Sequence, residues 1–136
     1  MGRRLTLPGA LLGLLLALLA CKSKTGGNLT FDGADFEISE CRSGQANSPQ
    51  FTGVDFLDDY GRRVRFLQQP TGFVQVYFFA PGATFTDMLG EGCGKMTLQA
   101  ASSQVNGITD IEGTVTANCR GGGHAVQANV SFERCH

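Results

Sequence analysis

A chain of 136 residues with a formal net charge of −1 is long enough for one buried core and too short for two of ordinary size. Its 11 basic and 12 acidic residues form no broad basic surface, which argues against nucleic-acid binding. Nineteen glycines, ten phenylalanines and no tryptophan favour strands and tight turns over helices.

The first segment reads as an address rather than as fold. Arg3 and Arg4 precede the apolar run Leu11–Ala20, which has signal-peptide length and falls short of the roughly 20 apolar residues of a membrane span. No later run is as long, so the rest of the chain is not expected to cross a membrane by a helix. The run ends Leu18-Leu19-Ala20-Cys21, which resembles the lipobox of bacterial lipoproteins: an aliphatic residue, a variable one, a small one, then cysteine. That resemblance implies cleavage between Ala20 and Cys21, after a diacylglycerol is attached to the Cys21 thiol, and a further N-acyl chain such as palmitate. Leu19 is bulkier than the residue commonest at its place. Arg3-Arg4-Leu5-Thr6-Leu7 is also similar to a twin-arginine signal. Met1-Gly2 with Thr6 fits the loose myristoylation pattern, but the apolar run and Cys21 argue against it. Lys22 rather than Asp follows the cysteine, which by the same resemblance favours the outer membrane over the inner, facing the periplasm or cell surface.

Lys22–Gly27 is small and polar and reads as a flexible tether, its two lysines able to rest on anionic headgroups. The expected organisation is signal peptide 1–20, lipidated cysteine and tether 21–27, and one β domain 28–136. Without Arg3 and Arg4, 9 basic residues face 12 acidic ones, and without Lys22 and Lys24 the domain itself stands near −5.

Within the domain, Leu29–Phe31 and Phe36–Cys41 read as short strands and Arg42–Pro49 as a polar loop. Phe51–Leu57 and Arg63–Leu67 form a hairpin around Asp58–Arg62. Gln69–Gly72 is a turn, and Phe73–Phe79, apolar on both faces, is a central strand. Thr84-x-x-Asp87 before Met88-Leu89 predicts one helical turn stopped by Gly90, and Gly92-Cys93-Gly94 a loop. Met96–Ala101, Ile108–Ala117 and Ala125–Glu133 complete the strands, the last two joined by a turn over Arg120–His124. The pattern predicts an all-β domain, a small antiparallel sandwich or open barrel with at most one short helical turn.

Setting Cys21 aside leaves Cys41, Cys93, Cys119 and Cys135, an even set that reads as two disulfides in an exported domain. With the last hairpin centred near Gly122, Cys119 lies beside the turn and Cys135 opposite Thr109. At ~3.3 Å per residue the two are roughly 30 Å apart, beyond the ~7 Å a disulfide allows. That excludes Cys119–Cys135, and Cys41–Cys93 with it. Strand parity puts Cys41 and Cys135 on polar faces and Cys119 with Ile111, Val115 and Ala117. It therefore favours Cys41–Cys135 plus Cys93–Cys119, unless a bulge flips the parity.

Candidate chemistry is sparse. Asp55, Asp58 and Asp59 could hold calcium, but their spacing is not an EF-hand and aspartate is favoured in turns for its own backbone bonding. Arg62, Arg63 and Arg65 could take an anion, against a reading as cross-strand ion pairs with Asp58 and Asp59. His124 and His136 are the only histidines. His136 beside Cys135 would suggest a metal only if the thiol were free. No serine lies in a G-x-S-x-G elbow, and Gly121–Gly123 lacks the lysine and hydroxyl of a P-loop. No catalytic residue, metal ligand or cofactor is expected beyond the lipid on Cys21. Phe73–Phe79 with Phe85, Met88 and Leu89 could instead line a lipid pocket or form an apolar docking patch.

The early cysteine after a short strand, then Gly113-Thr114-Val115-Thr116 and the ending Val130-Ser131-Phe132-Glu133-Arg134-Cys135, is similar to the mycobacterial 19 kDa lipoprotein antigen family over about a third of the domain. Cys93, Cys119 and the short tether depart from that pattern. The resemblance implies pairing of the first and last domain cysteines and carries no catalytic residues. The sequence thus points to a non-enzymatic envelope protein with a binding or structural β domain and an envelope protein partner. The alternative is a lipid or small-ligand carrier with an apolar cavity.

Overall fold

A computed structural model describes residues 22–83 and 86–136. The strands are β1 (Lys24–Phe31), β2 (Ala34–Asp35), β3 (Glu40–Ser43), β4 (Gly53–Leu57), β5 (Arg63–Gln68), β6 (Phe73–Phe79), β7 (Asp87–Val105), β8 (Ile108–Gly121) and β9 (His124–Cys135). They form one antiparallel sheet in the order β2-β1-β9-β8-β7-β6-β5-β4-β3. Among the described residues a single 3-10 turn, Gly44–Ala46, follows β3. The all-β expectation holds, in its open-barrel form.

Alternation drives the curl. Val54 and Phe56, Val64 and Phe66, and Val74, Val76 and Phe78 share the inner face with Val126, Ala128, Val130 and Phe132. A nine-stranded sheet with one apolar face must cover that face, and the twist of the strands lets it fold onto itself. Strands distant in the sheet therefore meet in the core. Phe56 on β4 packs edge to face against Phe132 on β9 at 5.8 Å, and Phe31 on β1 stacks on Phe78 on β6 at 4.3 Å. Such pairs contribute about 0.5–1.5 kcal/mol beyond the area they bury.

Two disulfides hold the curl, Cys41–Cys135 and Cys93–Cys119. The first ties β3, at one edge of the sheet, to β9 near the other; the second ties neighbouring β7 and β8. The expected pairing is correct, but one step toward it is not. Cys41 and Cys135 are both buried in the core, not on polar faces. The hairpin turns between Gly122 and Gly123, and a one-residue register shift between Ile111 and Gly113 follows, so Cys135 lies opposite Ile111 rather than Thr109. Arg134, with φ 52°, sits in the left-handed region and resets the alternation before Cys135. On the other partner, the chain between β2 and β3 is not strand, so parity counted from Phe36 does not carry to Cys41.

Four element expectations are corrected. Lys24–Gly27 is not a free tether: it pairs with Val130–Glu133 as the first half of β1. Gly27, with φ +87°, lets β1 lie close against β9, where a Cβ would collide with the Asn129 carbonyl oxygen. Phe36–Cys41 is strand only from Glu40, although Phe36 N–H donates to the Leu29 carbonyl at 2.8 Å. Met88 and Leu89 belong to β7 rather than to a helical turn, because Tyr77 and Phe78 pair with Met88 and Asp87; Thr84 lies outside the described residues. Gly92-Cys93-Gly94 is likewise part of β7, in a bulged stretch that the Cys93–Cys119 bond pins.

Candidate functional site

The ionisable side chains gather in three places. The first is the outer face of β3–β5, where the register aligns Arg42, Asp55 and Arg65 across three strands. Asp55 is 1% exposed, because the segment carrying the 3-10 turn folds over it and brings Asn47 and Phe51. Arg65 donates twice to Asp55, through Nε at 2.8 Å and Nη2 at 2.9 Å. Asn47 Nδ2 adds a bond at 3.1 Å, and Arg63 Nη1 a long one at 3.4 Å. The Arg65 guanidinium lies 4.1 Å from the Phe51 ring centroid and 4.7 Å from that of Phe79. A buried carboxylate needs this much compensation. The cluster fastens the 44–51 segment to the sheet. The expected ion pairs are therefore present, but Arg63 and Arg65 find Asp55 rather than Asp58 and Asp59.

Arg62 instead bonds Asp58 through Nε at 2.6 Å, and Asp58 Oδ1 accepts the Tyr60 and Arg62 backbone N–H groups. Asp58 thus shapes its own hairpin turn. Asp58 and Asp59 line a cleft with Asp35, Glu37, Tyr60 and Arg62. Asp55 does not join them, so the three aspartates considered for calcium do not converge.

The second place is the β8–β9 turn. His124 Nδ1 hydrogen-bonds Asp32 Oδ2 at 2.7 Å, and its ring packs on Phe31 and Phe78. Asp32 Oδ1 accepts the Ala125 backbone N–H at 2.8 Å. The His124 bond first, and the Ala125 bond second, hold the Asp32 carboxyl below the usual carboxylate range. The sequence did not single out Asp32, which directly follows the strand expected at Leu29–Phe31.

The third place is the end of the barrel where β1 begins. Ser23, Glu40, Cys41, Arg42, Ala46, Val105, Asp110, Arg134 and His136 line an open cleft of about 450 Å³. Asp110, buried, accepts Ser103 Oγ at 2.7 Å on one oxygen and holds His136 Nδ1 at 3.1 Å on the other. The carboxylate lies between hydroxyl and imidazole, so His136 is not placed to take the Ser103 proton. Arg42 and Glu40 form a two-pronged pair, at 2.7 and 3.1 Å. Sequence reasoning missed this cleft, because it is assembled from β3, the 3-10 turn, β7, β8, β9 and the residue before β1 at separations no local motif reports.

Cys21 and Ala20 lie outside the described residues. The four other cysteines are all consumed in disulfides, so no thiolate stands beside His136. Of the side chains considered for an apolar pocket, Val76, Phe78 and Leu89 are packed in the core and Phe73 and Met88 are about 40% exposed; Phe85 lies outside the described residues. Met88 and Leu89 thus point to opposite sides of β7, which splits the expected docking patch. No family model matches the chain, and no similar curated protein or solved structure was found.

Proposed function

We propose that the chain is a cell-envelope lipoprotein, cut before Cys21 and anchored through acyl chains on it. Its β domain is a non-enzymatic binding or structural module presented at the membrane face. The observation that carries this reading is the cysteine pairing. Four of five cysteines pair with one another inside the domain, and the unmatched one sits at the end of a positively started apolar run, after Leu18-Leu19-Ala20. Disulfides of this kind suit an oxidising compartment. Two or three acyl chains, at about 0.8 kcal/mol per buried CH₂, suffice for a stable anchor.

Three features favour binding or support over catalysis. Asp55, Asp58 and Asp110 are engaged in bonds that hold turns and strands. The Ser103 hydroxyl is held by the Asp110 carboxylate, whose other oxygen is taken by His136. The core is filled by the side chains that a carrier would need for its cavity. Lys22 in place of Asp after the lipid site favours the outer membrane, and an envelope protein is the expected partner. The test is Cys21→Ser expressed in a bacterium. The variant is expected to accumulate as an uncut, unacylated precursor, while the parent partitions with membranes as a shorter, acylated form. Equal processing of both would reject the reading.

A further inference from the structure

The cleft at the start of β1 contains a cation with no counter-charge among the described residues. Its acidic groups are occupied: Glu40 by Arg42 and Asp110 by Ser103 and His136. Arg134 lines the same cleft, and its Nε is buried with no acceptor among the described residues. Buried donors of this kind nearly always have a partner, and a guanidinium most of all, since its unpaired donors carry a full desolvation cost. The fold also fixes where Arg134 sits. Its left-handed φ of 52° belongs to the turn of chain that takes Cys135 inward to Cys41, so the residue is anchored by a disulfide one position away.

The setting identifies the ligand. Ser23 lines the cleft and stands two residues after Cys21, a reach of no more than about 7 Å. β1 is already paired to β9 at Lys24, so no long tether separates the lipid site from this end of the barrel. Lys22 and Lys24 lie at the same end. Val105, 43% exposed near the tip of the β7–β8 hairpin, contributes an apolar shoulder to the cleft.

We propose that this cleft seats the phosphate diester of a membrane lipid headgroup. One edge of the Arg134 guanidinium, Nε with an outer nitrogen, grips the phosphate, and Val105 rests at the glycerol level. Guanidinium suits phosphate because its planar donors match two phosphate oxygens at once. The proposal rests on the anchor reading, since acylated Cys21 is what brings the cleft to headgroup depth. It adds that the domain is docked on the bilayer in one orientation rather than swinging from it, leaving the opposite end with His124 and Asp32 free for a partner.

The test uses the protein purified from expressing bacterial membranes in a phosphate-free maltoside detergent, with ¹⁵N-labelled arginine. Short-chain phosphatidylglycerol and inorganic phosphate are titrated separately while the guanidinium resonances are followed by NMR, and the mass of the N-terminal peptide is read on the same sample. The lipid is expected to move the Arg134 signal saturably and to bind more tightly than inorganic phosphate. Arg134→Gln is expected to weaken it about tenfold, the loss of one charge-assisted hydrogen bond, with partial recovery in Arg134→Lys. Acylated protein whose Arg134 signal does not respond, or an Arg134→Gln variant that binds as the parent does, overturns the seat and leaves the anchor standing. Equal affinity for lipid and inorganic phosphate overturns the lipid assignment. A Cys21 without acyl chains overturns the anchor, and with it the placement of the seat.

Discussion

Replacing Cys41 and Cys135 together by alanine would release the clasp that closes the sheet. The bond spans 94 residues of sequence and encloses the Cys93–Cys119 pair, which spans 26. With the inner bond intact, the effective loop is roughly 68 residues, and its closure entropy corresponds to about 4.4 kcal/mol at 25 °C. For a domain of this size that is a fall in melting temperature of roughly 15 °C. Losing Cys93–Cys119 alone corresponds to about 3.5 kcal/mol, so the sum of stability lost does not separate the two variants; the place of loss does. β3 is a four-residue edge strand with one hydrogen-bonded neighbour, β4. Without the clasp, amides of Glu40–Ser43 are expected to exchange much faster, whereas the Cys93, Cys119 double variant is expected to leave them protected. The chain has no tryptophan, so urea unfolding is best followed by far-ultraviolet circular dichroism, with hydrogen exchange read by mass spectrometry. A stability loss below about 1 kcal/mol, or unchanged protection of β3, would refute the clasp.

Three further outcomes are expected. Asp55→Ala leaves Arg63 and Arg65 side by side without their carboxylate; since Arg65 retains some access to water, the loss should fall near the low end for a broken buried pair, about 3 kcal/mol, in urea unfolding, and a loss within 0.5 kcal/mol of zero would show that the cluster is dispensable. Asp32 has a carboxyl held low by His124 and Ala125, so the stability this adds is present at neutral pH and disappears as acid protonates the folded carboxyl below about pH 4; melts of the parent and Asp32→Asn should differ at pH 7 and converge in acid, and parallel curves down to pH 2 would contradict the assignment. Gly27→Ala should detach the first half of β1 from β9, seen as rapid exchange of the Lys24–Asn28 amides with the core still protected, and retained protection there would mean that the close approach is not needed.

Much of the fold was legible because its strands alternate cleanly. Val74-Gln75-Val76 and Val126-Gln127-Ala128 state their faces outright, and the glycine-rich turn at 121–123 fixed the last hairpin closely enough to eliminate one disulfide connectivity. What local reading missed was set by distant contacts. Lys24-Thr25-Gly26-Gly27 has the composition of a linker, and only the free edge of β9 makes it a strand. Asp87-Met88-Leu89 follows a capping pattern, yet β6 needed a partner and took it. Parity through Arg134 failed because one left-handed residue shifts the phase, and nothing in Glu133-Arg134-Cys135 announces it. The ionisable clusters were harder still. Arg63 and Arg65 were expected to find carboxylates at their own turn, but the partner is Asp55, buried only because the 44–51 segment folds over it. The cleft at the start of β1 draws residues from four strands, the 3-10 turn and the segments flanking β1 and β9, a constellation visible only after the sheet has curled.

The most direct test is the mass of the N-terminal peptide of the protein recovered from bacterial membranes. The lipoprotein reading predicts a mature chain that begins at Cys21 and carries a diacylglycerol thioether with a further acyl group on its amine. A chain that retains residues 1–20, or one that begins elsewhere with an unmodified Cys21 thiol, would contradict it.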